Sequence, residues 1–334
     1  MTIRRLLTID GGGIKGVIPA AFLATLERAT DKRLLEYFDL IVGTSTGGII
    51  ALGLGLGLSA EELLDFYERE GPTIFGQGEA GGGILRRLAA KLQHCGRSFR
   101  QTVLPKHRPE ALRAALEGAF GDKQLGDCQT RVVVPAFDRQ RRDIHIFKTA
   151  HHERLRMDWR ERAVEVAMAT AAAPTYLPSH RLGSGVSLID GGVWANNPVG
   201  LAVVEAITIL GWEASSLRVL SLGCSESPFH IPEDSGFVGL AAKLADVFMV
   251  GQSRSSYGTA KLLMGPTKIE ERLFRYQPIT GSGEFQLDDT DKIGALKGIG
   301  AALARQALPQ VQQVFLGNPR EPFVPEYGQN TSDG

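Results

Sequence analysis

The sequence contains little cysteine, has no excess of either charge sign and has no long apolar run. Its 334 residues include three cysteines, an odd number without a CxxC pair (Cys95, Cys128 and Cys224). This pattern argues against a disulfide framework or a zinc site and fits a reducing compartment. Lysine plus arginine and aspartate plus glutamate each total 37, so the formal net charge is zero. No overall positive field therefore favours a nucleic-acid polymer as a partner.

The apolar runs are too short for a secretory signal or for a membrane span. The run that precedes Asp10 has only four residues, which is shorter than a signal peptide needs. The most apolar later stretch, residues 49–58, contains three glycines and falls short of the roughly 20 residues that cross a bilayer core. We therefore predict a cytoplasmic protein that at most rests on the inner face of the cell membrane.

Short apolar runs that end in glycine alternate with helical patterns along most of the chain. They predict strands at residues 5–9, 40–42, 131–135, 144–147, 186–189 and 217–222, with helices between them. Beyond residue 226 we expect a helix near 239–263, a strand at 268–276 and a last helix near 291–315. The alternation favours an α/β fold whose mainly parallel central sheet is covered by helices. With no repeat and no linker, we predict one domain over residues 1–316 and a loose tail at 317–334.

The segment Gly43-Thr44-Ser45-Thr46-Gly47 is a GxSxG motif between a predicted strand and a predicted helix. Flanking glycines leave room for a sharp turn that exposes the serine hydroxyl, and the helix N-terminus adds positive potential where an oxyanion would form. The motif makes Ser45 a candidate nucleophile. The alternative is an ordinary glycine-rich turn with a serine cap.

A glycine loop, Asp10-Gly11-Gly12-Gly13-Ile14-Lys15-Gly16, also joins a predicted strand to a helix. Successive glycine N–H groups at a helix start form a cradle for an anion, either a tetrahedral oxyanion or a pyrophosphate. Gly11, Gly13 and Gly16 also satisfy a GxGxxG dinucleotide fingerprint, with Asp31 about 20 residues further on. A nucleotide-binding module is therefore an open alternative.

A third motif, Asp190-Gly191-Gly192, puts an acid at the end of an apolar strand. Parallel sheets gather the carboxyl ends of their strands at one edge, so we expect the glycine loop, Ser45 and Asp190 to converge there. An acyl hydrolase needs a nucleophile, a base and N–H donors. The three motifs supply all of them.

In this order, DGGGIKG, GTSTG and DGG resemble the signatures of the patatin-like phospholipases, and the similarity continues through residues 171–176 and 190–198. The resemblance covers about residues 4–210 and implies a three-layer sandwich, no required cofactor and no metal. It implies Ser45 as nucleophile, Asp190 as its only catalytic partner, and an oxyanion hole at Gly11, Gly12 and Gly13. The supporting motif positions are Asp10, Lys15, Gly16, Gly43, Gly47, Gly191 and Gly192. Lys15 departs from the arginine that is more usual there and lacks its planar fork.

A carboxylate with an ordinary pKa near 4 is a poor base for a hydroxyl, so the dyad requires burial of Asp190. The alternative is a triad in the order serine, acid, histidine. Only His230 follows Asp190, so Ser45–Asp190–His230 is the one triad that this order permits.

Over the whole chain, the sequence is most similar to the patatin-like effectors of bacterial cyclic-oligonucleotide antiphage (CBASS) systems, including the stretch at residues 147–153. That resemblance implies a phospholipase activated by a cyclic dinucleotide, forming homo-oligomers and attacking the cell's own phospholipid membrane. We expect the family-specific part at about 211–316 to contain part of the regulatory site, within residues 226–290. A basic, amphipathic stretch at residues 84–108 could contact anionic lipid or could be a solvated face of the fold.

Overall fold

The computed structural model describes residues 2–76, 109–226, 228, 244–281 and 283–328. The strands are β1 (Arg4–Ile9), β2 (Leu40–Gly43), β3 (Arg131–Asp138), β4 (Asp143–Lys148), β5 (His180–Arg181), β6 (Ser187–Asp190), β7 (Leu217–Leu222) and β8 (Leu273–Tyr276). The helices are α1 (Val17–Thr30), α2 (Thr46–Gly55), α3 (Ala60–Phe75), α4 (Pro109–Phe120), α5 (Ala163–Thr170), α6 (Gly192–Ala195), α7 (Val199–Val204), α8 (Leu244–Met264) and α9 (Ile293–Phe315).

The strands form one sheet in the order β5-β6-β3-β2-β1-β7-β8, with β4 paired to the second edge of β3. Strands β3, β2, β1, β7 and β8 are parallel, whereas β4, β5 and β6 join by antiparallel pairing. The mainly parallel α/β sheet predicted from the sequence is thus confirmed.

Alternate residues of the central strands face two different helical layers. Leu7 and Ile41 belong to a core with α1, α2, α3, α5 and α9. Leu6, Leu40 and Val42 belong to a second core with α7 and α8. This period-two pattern buries both faces of the strands, which is why they read as nearly continuous apolar runs.

Strand β3 brings two other strands end to end. Its residues 131–133 pair with β2, and its residues 136–138 pair with β6 in the opposite direction. Because β4 occupies one edge of β3 along residues 133–138, β2 and β6 must share the other edge. The carboxyl ends of β2 and β6 therefore run toward each other and meet. The predicted convergence of Asp190 with Ser45 is correct, but it arises from an antiparallel strand and not from a common parallel edge.

Several predicted elements differ in the structure. The strand expected at 268–276 begins only at Leu273, because Lys268 adopts a φ of 52° and Ile269–Glu271 forms a 3-10 turn. The basic stretch at 84–108 and residues 239–243 of a predicted helix lie outside the described residues. The single-domain prediction stays a prediction.

The tail expected to be loose is held against the fold as far as residue 328. The Arg320 side chain donates hydrogen bonds to the carbonyls of Leu35 and Gln129, and the Glu326 N–H donates to Ala150 at 2.7 Å. The prediction of a loose tail is therefore wrong for residues 317–328. These contacts are made by one arginine and by backbone groups. Such groups also occur in unbound tails, so the local sequence gave no signal that this segment binds to the fold.

Candidate active site

Ser45 occupies a sharp turn between β2 and α2, with a φ of 55° and a ψ of −124°. A Cβ added to Gly43 would lie 2.0 Å from the Gly47 carbonyl oxygen, and one added to Gly47 would lie 2.3 Å from the Ile9 carbonyl oxygen. Only glycine fits at either position. The Ser45 N–H donates to Thr170 Oγ1 at 3.0 Å, which fixes the strained turn. This geometry directs the serine side chain away from its own backbone, as in a nucleophile elbow.

The Ser45 hydroxyl donates a hydrogen bond of 2.6 Å to Asp190 Oδ2. The other carboxylate oxygen, Oδ1, accepts the Gly192 N–H at 2.6 Å. A Cβ on Gly191 would lie 2.2 Å from the Pro135 carbonyl oxygen, so the DGG motif lets its backbone approach β3 closely. Ser45 is 9% exposed and Asp190 is 5% exposed.

Burial raises the pKa of Asp190 to about 6, and the hydrogen bonds from Ser45 and Gly192 oppose that rise. A carboxylate with a higher pKa is a stronger base. Burial of Asp190 therefore provides the raised pKa that a serine–aspartate dyad requires. The roles of Ser45 and Asp190 in catalysis stay predictions.

The glycine loop lies directly beside the serine, since a Cβ built on Gly11 would be 3.1 Å from Ser45 Cβ. The Gly11 N–H, however, donates to the Asn196 carbonyl at 3.0 Å. Within the described part of the chain, the Gly12 and Gly13 N–H groups donate to no protein acceptor. The Gly11 N–H is thus already bonded to the residue that follows α6, which argues against it as an oxyanion donor, and the oxyanion role of Gly12 and Gly13 stays a prediction.

The glycine loop is also contacted by a residue that lies beyond the family resemblance at about residues 4–210. The Ile14 N–H donates to the Leu287 carbonyl at 2.9 Å, and Gly13 has a φ of 57° with that carbonyl 2.4 Å from an added Cβ. At the helix end, a Cβ on Gly16 would lie 2.2 Å from Thr46 Oγ1, so this glycine lets α1 and α2 touch. Lys15 is half-buried in the 3-10 turn Gly13–Gly16.

Asp10 is anchored by Arg275, a residue that the sequence analysis missed. Arg275 Nη1 donates to Asp10 Oδ1 at 2.8 Å and Nη2 donates to Oδ2 at 2.5 Å. Ser221 and Gln277 accept further hydrogen bonds from the same guanidinium. Burial raises the pKa of Asp10, and the charge of Arg275 opposes that rise. No motif surrounds Arg275, and it lies 265 positions from its partner, so no sequence signal pointed to it.

The alternatives from the sequence fare differently. Asp31, the acid of the dinucleotide fingerprint, follows the last residue of α1. A 14-residue helix is about 20 Å long, so Asp31 lies far from the glycine loop and does not complete that fingerprint. His230, the histidine of the alternative triad, lies outside the described residues.

Other histidines have partners elsewhere: His151 bonds to Glu205 and His180 bonds to Glu165. Among the residues that the structure describes, no group of three or more histidine, cysteine, aspartate or glutamate side chains could hold a metal ion. In the same described ranges, no helix combines the length and the apolar character that a membrane crossing requires.

The fold and this site define an α/β protein with a serine at a strand–helix elbow, an acid beside it and a glycine loop. The family model for the patatin-like phospholipases matches residues 7–203, which include all three motifs. The chain belongs to the patatin-like phospholipase family.

Similar proteins come from bacteria and plants. A cGAMP-activated phospholipase of Pseudomonas aeruginosa is 37% identical over 219 residues, covering 65% of this chain and 61% of the relative. Patatin-like protein 2 of Arabidopsis thaliana is 33% identical over 268 residues, covering 70% and 63%. A cGAMP-activated phospholipase of Vibrio cholerae is 29% identical over 255 residues, covering 71% and 70%. The chain thus spans less than two thirds of the length of the first two.

Among solved structures, VipD from Legionella pneumophila aligns with a TM-score of 0.47 and 12% identity, covering 92% of this chain and 67% of that chain. A likeness at that score carries no conclusion.

Proposed function

We propose that the protein is a serine lipid acyl hydrolase of phospholipase A type, in which a Ser45–Asp190 dyad cleaves acyl esters of membrane phospholipids. The observation that carries this proposal is the 2.6 Å hydrogen bond between Ser45 Oγ and Asp190 Oδ2 at the elbow turn. Membership of the patatin-like phospholipase family supports the same substrate class.

In the first half of the reaction, Ser45 Oγ attacks the ester carbonyl carbon while its proton passes to Asp190 Oδ2. The carbonyl oxygen becomes an oxyanion, which the Gly12 and Gly13 N–H groups stabilise. The tetrahedral intermediate collapses when Asp190 returns the proton to the leaving alcohol oxygen. The products are the lysophospholipid and an acyl-Ser45 ester.

In the second half, Asp190 takes a proton from water, and the resulting hydroxide attacks the acyl-Ser45 carbonyl. Collapse of this second intermediate returns the proton to Ser45 Oγ and releases the fatty acid. The Gly192 N–H holds the second carboxylate oxygen throughout, so one oxygen of Asp190 always faces the serine. The cycle needs no cofactor.

Labelling with a fluorophosphonate probe tests the nucleophile. We expect the wild-type protein to be labelled, Ser45→Ala to be unlabelled, and Ser59→Ala to be labelled like the wild type. Ser59 is a matched control because its hydroxyl only caps α3. An unlabelled wild-type protein would contradict the hydrolase proposal.

We further propose that a cyclic dinucleotide activates the enzyme in antiphage defence. The names of two relatives, which are cGAMP-activated phospholipases, support this regulation. In this proposal the activated protein forms homo-oligomers and acts from the cytoplasm on the inner face of the cell membrane. Arg275 and Leu287 bind the glycine loop from the part of the chain expected to be regulatory.

The switch is tested by phospholipid hydrolysis with and without a panel of cyclic di- and trinucleotides, with Ser45→Ala as the blank. We expect one nucleotide to turn activity on and to increase the mass measured by light scattering. Equal activity with and without every nucleotide would keep the hydrolase and remove the activation proposal.

A further inference from the structure

Helix α8 passes beside the candidate active site and ends at the opposite edge of the sheet. In its first half, the Gln252 side chain donates to the Gly192 carbonyl at 3.1 Å and accepts the Asn196 N–H at 2.5 Å. Near its end, Arg272, which directly precedes β8, donates to the carbonyl of Met264. The first turns of α8 therefore lie at the carboxyl edge of the sheet, where β2 and β6 meet.

Large apolar side chains are exposed at this edge. Phe248 lies one turn before Gln252 on the same face of α8. Gln252 contacts the protein, whereas Phe248 is 68% exposed, so α8 extends beyond the residues against which Gln252 packs. Met249 beside it is exposed, and so is Val193, which directly follows Gly192. Exposed apolar residues that occur singly are normal, but neighbours beside a site mark an interaction surface.

Ile279 is a further large apolar side chain exposed at this edge. It follows β8 at the carboxyl edge and is 78% exposed. The neighbouring Thr280 N–H donates to the Glu226 carbonyl, and the Glu226 carboxylate pairs with Arg254 of α8 at 2.6 Å. Ile279 is thereby tied to the same part of α8. We name these four side chains the apolar rim: Val193, Phe248, Met249 and Ile279.

We propose that the apolar rim inserts into the surface of a phospholipid bilayer and so presents lipid esters to Ser45. This inference rests on the proposed function. Ser45 is 9% exposed and Asp190 is 5% exposed, so an ester must leave the bulk lipid to reach them. Apolar side chains at the same edge lower the free energy of that transfer, because they replace water around the emerging acyl chain.

A second copy of the chain fits this surface less well. Stable protein interfaces use about 20–30 residues on each side, whereas the rim has four side chains. A copy seated on the rim would also lie over the edge through which the substrate must enter.

Vesicle binding tests the inference in a Ser45→Ala background, where no lipid is consumed. Co-sedimentation with pure phosphatidylcholine vesicles is measured with and without the cyclic dinucleotide panel, so that neutral headgroups isolate the apolar contribution. The rim variant Phe248→Ser/Ile279→Ser is compared with the control variant Leu262→Ser/Leu263→Ser. The control removes two exposed leucines, one of them 83% exposed, from the opposite end of the same helix.

We expect the rim variant to bind vesicles at least about tenfold more weakly than its parent, and the control to bind within about twofold. Equal binding by the parent and the rim variant, or no vesicle binding by the parent, would overturn the inference. Light scattering adds a further outcome. Loss of a dimer in the rim variant, with vesicle binding unchanged, would assign the rim to a second copy and overturn the lipid proposal.

A soluble short-chain ester separates failure of this inference from failure of the proposed function. With Ser45 present, the rim variant should lose vesicle hydrolysis and keep hydrolysis of the dissolved ester. A wild-type protein that hydrolyses neither substrate contradicts the hydrolase proposal, while vesicle binding by Ser45→Ala still decides the role of the rim.

Discussion

The Arg275 guanidinium forms a two-point ion pair with the Asp10 carboxylate, at 2.8 and 2.5 Å, at the first residue of the glycine loop. Asp10 lies within the family match at residues 7–203, whereas Arg275 lies 72 positions beyond its end (275 − 203). The part of the chain outside the match therefore helps to position the glycine loop that lies beside Ser45.

Arg275→Met should destabilise the fold and slow the reaction. It leaves the buried Asp10 carboxylate without its counter-charge, which costs about 3–5 kcal/mol when a buried pair is broken. We expect kcat to fall by about 10- to 100-fold with little change in KM, since the loop acts mainly on the oxyanion. Urea unfolding and steady-state kinetics measure both effects.

Two further variants show whether the effects of Arg275→Met arise from loss of the charge that positions the glycine loop. Arg275→Lys should recover part of kcat, and Asp10→Asn/Arg275→Met should be more stable than Arg275→Met alone. Arg254→Met removes an exposed ion pair with Glu226 and should cost no more than about 1 kcal/mol. The interpretation fails if Arg275→Met and Arg254→Met have the same effects.

The rate of hydrolysis should depend on the ionisation of Asp190. Only the carboxylate can take the serine proton, and burial raises its pKa to about 6. In a pH series, log kcat/KM should rise with a slope of about one below pH 6 and level off above it. A profile that is flat between about pH 5 and pH 8 would contradict the assignment of Asp190 as the base.

Asp190→Asn should abolish activity and yet stabilise the fold above about pH 6. Because burial raises the folded-state pKa from 3.8 to about 6, the unfolded chain ionises more readily than the folded chain. The cost of the buried charge therefore grows from about pH 4 to pH 6 and is fully present above that range. Asparagine can still accept the Gly192 N–H, and we expect a gain of about 2–3 kcal/mol.

Urea unfolding at about pH 8 and about pH 4 checks this prediction, because the gain should fall below about 1 kcal/mol at pH 4, where the folded-state Asp190 is protonated and the unfolded-state carboxyl is only partly ionised. If Asp190→Asn instead lowered the free energy of unfolding at both pH values, the Asp190 carboxylate would stabilise the fold, and its burial would not be a cost linked to its role as a base.

Gly12→Ala should inactivate the enzyme, and a second substitution should restore it. A Cβ on Gly12 would lie 2.5 Å from Cys224 Cβ and 2.6 Å from its sulfur, so the loop must move. Gly12→Ala/Cys224→Gly makes room and should recover part of the activity. Gly118→Ala is the control, since its Cβ would meet nothing within 4 Å. Phospholipid hydrolysis measures all three; no recovery in the double variant would show that the loop tolerates no side chain at all.

The sequence predicted most of the sheet and the three motifs because both depend on local patterns. The apolar runs before Asp10, Ser45 and Asp190 are nearly continuous, as strands buried on both faces must be. The close approaches at Gly43 and Gly47 admit no side chain, so glycine at these positions is a local requirement.

Long-range contacts were not predictable in this way. The position of β6 beside the end of β2 depends on which edge of β3 is already occupied by β4. The use of the Gly11 N–H by Asn196 and the anchoring of Asp10 by Arg275 depend on tertiary packing alone. Likewise, the binding of residues 317–328 to the fold depends on carbonyl groups that any sequence would carry.

The most direct test of the account is acyl release from phospholipid by the wild-type protein, Ser45→Ala, Asp190→Asn and His230→Ala, all with the nucleotide panel present. The dyad predicts a loss of at least about 10³-fold in the first two variants and a change within about twofold in His230→Ala. Collapse of activity in His230→Ala, or full activity in Ser45→Ala, would contradict a dyad of Ser45 and Asp190.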